Sequence, residues 1–156
     1  MANVAAMCTS FKAEVLLGAH QLGAVTIVSR TSLTAPTVDT IKAALYLASG
    51  SLGAATTAYG SGSEVSGTGY SAGGVSVTNA TAPTTSGTTG YWTPSASIVY
   101  TTVTLTTAFD TVLLYNSTQA NRAIAVYTFG SQTITAGTFT ITMPVNGAGT
   151  AAINLA

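Results

Sequence analysis

The stretch Thr138-Phe139-Thr140-Ile141-Thr142-Met143 alternates a hydroxyl residue with an apolar one at every step. Successive side chains of a strand point to opposite faces, so this run predicts a buried row of Phe139, Ile141 and Met143 behind a solvated row of threonines. Threonine suits the outer pleat because its β-branch fits a strand. The same period of two recurs on either side. Ala123, Ala125, Tyr127 and Phe129 oppose Arg122, Ile124, Val126 and Thr128. Phe109, Thr111, Leu113 and Tyr115 form another set. Val99, Val103 and Leu105 are expected on one face, with Tyr100, Thr102 and Thr104 on the other. Ile41, Ala43, Leu45 and Leu47 alternate further upstream, as do Val75 and Val77. Val25 and Ile27 suggest an earlier strand, and residues 151–155 a last one.

Gly-, Ser- and Asn-rich connectors at 49–53, 61–74, 86–90, 116–121, 130–137 and 146–149 punctuate these runs. About eight short strands with such spacing predict an all-β fold, an antiparallel β-sandwich or jelly roll, with no fixed-period repeat. The longest connector, 60–74, is expected to order only on contact. One helix is expected, from Thr9 to Leu17. Thr9 or Ser10 would cap its start and Gly18 its end, with Met7, Phe11 and Val15 on one face. So short a helix must dock on something to persist. The division that follows is an N-terminal arm with helix and linker at 1–38, then a β-sandwich domain at 39–156.

The 156 residues include 30 Thr and 15 Ser but only eight formal charges, four of each sign. Charged residues make up 5% of the chain, against about 25% in an ordinary soluble domain. No cluster of Lys and Arg is present to track phosphates, so nucleic acid is not an expected partner. No apolar run reaches the ~18 residues of a membrane span, so a membrane is not expected either. The first residues lack the charged and apolar regions of a secretory signal, which points to assembly in a bacterial cytoplasm. Cys8 is the single cysteine, which excludes an internal disulfide. A surface this poor in charge suits a molecule largely covered by copies of itself or by a scaffold.

Chemistry finds little purchase. His20 is the lone histidine, and no nucleophile-elbow pattern surrounds any serine, so no catalytic residue is expected. One His, one Cys and four scattered carboxylates (Glu14, Asp39, Glu64, Asp110) supply no metal-ligand spacing and no evident carboxylate pair. Backbone carbonyls of the Gly-rich loops remain as calcium candidates. Gly67-Thr68-Gly69-Tyr70-Ser71-Ala72 fits a loose dinucleotide fingerprint but stands in a hairpin context rather than between strand and helix. No cofactor is expected. Tyr59, Tyr70, Tyr91 and Trp92 are the residues that would stack a sugar if the protein were a carbohydrate-binding adhesin module.

Three blocks carry a resemblance. They are Cys8-Thr9-Ser10-Phe11-Lys12-Ala13-Glu14-Val15-Leu16-Leu17-Gly18-Ala19-His20, then Asp39-Thr40-Ile41-Lys42-Ala43-Ala44-Leu45-Tyr46 with Ala58-Tyr59, residues 64–70 and Ala72-Gly73-Gly74. The third is Leu114-Tyr115-Asn116 with residues 123–130, Gly137-Thr138-Phe139 and Met143-Pro144. In this order they resemble a family of small tailed-phage virion proteins, variously capsid cement, decoration or fibre proteins. The resemblance implies a non-enzymatic structural role in the virion. The partners it implies are the major capsid protein, other virion proteins and further copies of the chain. The Ser/Thr-rich stretch 29–38 departs from the pattern, as does the low charge around Trp92 and Tyr100. Phe11, Val15, Leu16, Leu17 and His20 are the expected assembly contacts. Removal of residues 1–22 is accordingly expected to spare the β-domain and abolish attachment. A head or tail fibre subunit is the alternative.

Overall fold

A computed structural model describes residues 2–16, 18–20, 22–23 and 37–156, with backbone alone at Ala13 and Leu16. The expected strand at Val25 and Ile27, and most of the Ser/Thr-rich stretch, lie outside the described residues. Strands β1 (Ala6–Met7), β2 (Ile41–Leu47), β3 (Val75–Ser76), β6 (Ile98–Asn116) and β7 (Arg122–Ile141) form an antiparallel sheet in the order β1-β7-β6-β2-β3. Strands β4 (Thr84–Ser86), β5 (Thr89–Trp92) and β8 (Ile153–Leu155) form a second, in the order β4-β5-β8. The all-β sandwich is therefore observed. Neither strand order contains the 4-1-2-3 run of a Greek key, so the structure does not confirm a jelly roll.

Helix α1 (Thr9–Leu16) ends as expected at Gly18, whose φ of 68° is left-handed. Gly18 N–H donates to the Val15 carbonyl at 3.1 Å and Ala19 N–H to the Glu14 carbonyl at 2.9 Å, the two bonds of a Schellman cap. At the other end the expected Thr or Ser cap is replaced by the Ala54 carbonyl, which accepts from Thr9 N–H. Ser10 Oγ is buried without a hydrogen-bond partner.

The N-terminal segment is built into the β-domain. Ala6 and Met7 pair with Val126 and Ala125, and Cys8 and Phe11 are wholly buried in the shared core. Beyond them, Val4 N–H donates to the Leu52 carbonyl, and the Asn3 amide bonds both Leu47 and Asp110. Of the arm expected to attach the β-domain to a partner, the segment from Asn3 to Phe11 is thus joined to the domain by strand pairing, hydrogen bonds and core packing.

The chain between 98 and 141 is one long hairpin, where separate strands with a connector at 130–137 were expected. Its ladder runs from Asn116 opposite Arg122 to Ile98 opposite Ile141, and four of its five register shifts fall between Tyr100 and Thr111. Ten residues of straight strand would span about 33 Å. Yet the rings of Phe129 and Phe139, ten apart on β7, lie 5.3 Å from each other. The hairpin therefore folds back across itself around 106–108 and 130–136, an expected connector that stays in the ladder through the Leu105–Ile134 and Phe109–Gln132 pairs while turning a corner. Doubling back brings Ile98 and Ile141 to the cavity that Val112, Leu114 and Tyr127 also line. Phe109, Phe129 and Phe139 pack edge-on or tilted at 5.2 to 6.0 Å inside the fold.

One bulge corrects the expected faces. Thr102 takes a φ of 52°, which advances the strand by one residue. As a result Ile98 and Tyr100 are buried together with Val103 and Leu105, whereas Val99 is 41% exposed. Strict alternation also fails in the middle of the large sheet, where Ala43–Tyr46, Thr111–Asn116 and Ala123–Val126 are buried at every position. Both faces are covered there. Segment 58–74 lies over β2 and β6, where Tyr46 Oη donates to the Gly60 carbonyl, Tyr115 Oη to that of Gly73, and Tyr59 stacks on Tyr115, while Val65 and Thr68 pair along their edges.

Candidate functional site

Among the described residues, three places concentrate side-chain chemistry. The first is a buried polar chain beside the turn that joins β6 to β7. Glu14, on α1, accepts from His20 Nε2 at 2.7 Å and from the Arg122 guanidinium. Asn116 Oδ1 accepts the N–H groups of Thr118 and Gln119, which fixes the orientation of its amide. Its Nδ2 therefore faces His20 Nδ1 at 3.0 Å and donates to Asp39 at 2.6 Å. That arrangement assigns a ring proton of His20 to Nε2, aimed at Glu14. The His20 side chain is only 1% exposed, with its ring edge-on to Phe11 at 4.9 Å. Burial alone would raise the Glu14 carboxyl. Hydrogen bonds and charge from His20 and Arg122 overcome that and hold it below the ordinary carboxylate range. Burial, reinforced by the Glu14 charge, pushes the Cys8 thiol up to about 11. A thiol so raised is inert at neutral pH.

The second place is a cluster of tyrosines around Glu64. The Glu64 carboxylate accepts from Tyr59 at 2.6 Å, from Tyr70 at 2.8 Å and from Gly73 N–H at 2.7 Å. Tyr70 Oη also accepts from Leu45 N–H, while Tyr100 donates to the Ala43 carbonyl and Tyr115 to that of Gly73. Tyr59 stacks on Tyr115 at 4.7 Å. Burial raises all these phenols, and the Glu64 charge adds to it; Tyr59 reaches about 12. One carboxylate thus clamps the Gly-rich segment onto the sheet, where the sequence suggested a loop ordered only by contact. The dinucleotide-like run belongs to this clamp. A Cβ at Gly67 or Gly69 would collide with the carbonyls of Thr104 and Thr102, so these glycines permit close packing against β6.

The third is a cleft of about 270 Å³ between α1 and the smaller sheet. It gathers residues from both expected groups: Phe11, Val15 and His20 from the assembly set, Tyr91 and Trp92 from the sugar-stacking set. Its walls are mostly apolar, and both His20 nitrogens are engaged elsewhere.

The expected assembly contacts whose side chains are described, Phe11, Val15 and His20, pack within the fold. Phe11 is fully buried and Val15 half-buried, while the Leu16 side chain and Leu17 lie outside the described residues. The four aromatics expected to stack a sugar do not share one platform. Tyr59 and Tyr70 belong to the Glu64 cluster, whereas Tyr91 and Trp92 line the cleft. Trp92 is 1% exposed, and its indole N–H donates to the Thr81 carbonyl. Among the described residues no three His, Cys, Asp or Glu side chains gather as metal ligands, and no helix is long and apolar enough to cross a membrane. Asn116 and Arg122, central to the polar chain, carried no signal in the sequence because their partners lie 77 to 108 residues away. Compared with known proteins, the chain matches no family model, no curated protein and no solved structure.

Proposed function

We propose that this chain is a non-enzymatic structural protein of a tailed-phage virion, a cement or decoration protein that binds and stabilises the capsid shell. The observation that carries the reading is the placement of charge. Residues 65–109 and 123–156 contain no Asp, Glu, Lys or Arg, so most of the exposed strand surface is threonine, serine and glycine. Such a surface is poorly defended against association, which suits a protein that works covered by neighbours. The resemblance of the three sequence blocks to small virion proteins supplies the setting. Attachment would use apolar burial and main-chain pairing, multiplied by the symmetry of the shell. Because Phe11 and His20 are inside the fold, the docking surface of this reading is the uncharged strands.

Quantitative mass spectrometry of intact particles tests this. Hundreds of copies per particle are expected of a cement protein on a capsid lattice. A few to a few dozen would move the protein to a tail or fibre, the alternative reading. Absence from particles would overturn both.

A further inference from the structure

We propose that the outer edge of β7 at residues 137–141 docks a second copy of this chain, strand against antiparallel strand about a two-fold axis. On its inner side this segment is paired, with Phe139, Thr140 and Ile141 opposite Tyr100, Val99 and Ile98. On its outer side β7 is covered by β1, Cys8 and residues 57–58 along Arg122–Val126, and no other described strand continues along the edge toward 137–141. An extended strand turns alternate N–H and C=O groups outward, and a neighbouring strand satisfies them.

Natural edges are usually blunted by Lys, Pro or inward charge. Here residues 123–143 contain no charged residue and no proline. The bulge at Ala136, with φ 48°, precedes the segment, so 137–141 itself keeps regular alternation. Thr138, Thr140 and Thr142 are exposed, while Phe139, Ile141 and Met143 are only half-buried. Ile141 and Met143 also line an apolar cavity of about 200 Å³. An added strand would finish covering that row.

The occupant is a second copy because of charge and symmetry together. A two-fold axis perpendicular to the sheet keeps equivalent faces on the same side, so the two half-buried rows join into one apolar strip. Threonines then face threonines. In self-pairing, any charge on the edge would confront its own image, and this edge has none. A charged partner strand would find no counter-charge here. The inference rests on the proposed assembly role for its setting but not for its geometry.

Light scattering and sedimentation of the full chain across the micromolar range test it. A dimer is expected. Thr138→Lys with Thr140→Lys places like charges around the axis and should weaken it on the order of 100-fold. Both side chains are exposed, so circular dichroism should show an unchanged fold. Thr88→Lys with Ala96→Lys, exposed positions elsewhere, should leave the dimer intact. Amides at 137–141 should exchange more slowly in the dimer than on dilution. A chain that stays monomeric overturns the inference, as does an oligomer indifferent to the lysines at 138 and 140. A monomer found in particles would leave the virion reading standing. A dimer absent from particles would sink that reading and spare the edge.

Discussion

The two ends of the β6–β7 hairpin use charge in opposite ways. Beside its turn, Glu14, His20, Asp39, Asn116 and Arg122 are linked in one polar chain, and Glu64 clamps the adjoining Gly-rich segment. At its far end, residues 98–105 and 134–141 carry no charge at all. Ordinary domains keep their ionisable groups outside for solubility. This one spends several of its few carboxylates as internal fasteners and leaves its strands uncovered. The three sequence blocks on which the proposed virion reading draws include nearly every member of the fastened end: Glu14, His20, Asp39, Tyr59, Glu64, Tyr70, Tyr115 and Asn116. On the proposed virion reading, what those blocks hold in common is scaffold, and the surface that would meet other molecules is the plain end.

The strongest test of this contrast is removal of residues 1–22. If the N-terminal segment were a detachable arm, the β-domain would survive. Because Cys8 and Phe11 are wholly buried and β1 pairs with β7, the truncated chain should instead fail to fold. Phe11→Ala alone should cost about 3–5 kcal/mol through lost burial and the cavity left behind. Urea unfolding followed by circular dichroism measures both. A truncated chain with a native spectrum would restore the arm.

Next in size is the loss of Glu14. Glu14→Ala leaves the buried His20 Nε2 without its acceptor, while the half-exposed Arg122 guanidinium can turn to water, and should cost up to about 3 kcal/mol. The carboxyl also gives the fold an acid limit. Its pKa is lowered in the folded chain, so its contribution is complete above the ordinary value of 4.5 and disappears as pH falls below it toward the lowered one. Stability measured from pH 6 down to about pH 3 should fall more steeply in the native protein than in Glu14→Ala. Parallel curves would remove Glu14 from the fastened end.

How much of this was legible depends on the range of the interaction. The Thr138–Met143 alternation and the Gly18 stop are local, and each predicted its element. The bulge at Thr102 was hidden, because a threonine in left-handed conformation looks like any other threonine in a Thr-rich strand. Without that bulge, Val99 and Tyr100 are assigned to the wrong faces. Strands β4 and β5 were missed because Thr84, Thr85, Ser86 and Thr89 offer no apolar alternation. The polar chain was illegible for a different reason. Asp39 and Asn116 meet only once β2 has paired with β6, placing Ile41 opposite Asn116. Glu64 stood in a Gly-rich run that resembled a mobile loop, and only the convergence of Tyr59, Tyr70 and Gly73 N–H on it reveals the clamp.

A smaller effect is expected at that clamp. Glu64→Gln replaces a carboxylate that accepts three bonds with an amide whose NH₂ faces donors, and should cost about 1–3 kcal/mol. The tyrosines add an alkaline counterpart. Tyr46, Tyr59, Tyr70, Tyr100, Tyr115 and Tyr127 are all raised above the ordinary value of 10, chiefly by burial. The folded chain then holds protons that the unfolded chain releases. Their contribution is intact below pH 10 and is lost as pH rises beyond it. The tyrosinate absorbance of these six should thus appear together with unfolding, in one cooperative step. Gradual ionisation of a still-folded chain would show that the cluster is open to solvent.

The least response should come from salt, and a null result is the sharpest statement about the plain end. Raising ionic strength from about 0.01 to 0.1 M shortens the Debye length from roughly 30 to 10 Å, which weakens any contact between exposed charges. If the uncharged strands make the attachment, affinity for the shell should change by no more than roughly twofold over that range. Lys12 and the half-exposed Arg122 guanidinium lie at the fastened end and would be spectators. A steep loss of binding with salt would mean that charged residues, not the plain strands, form the contact after all. The two ends would then exchange roles, with the polar chain beside the hairpin turn becoming the docking site.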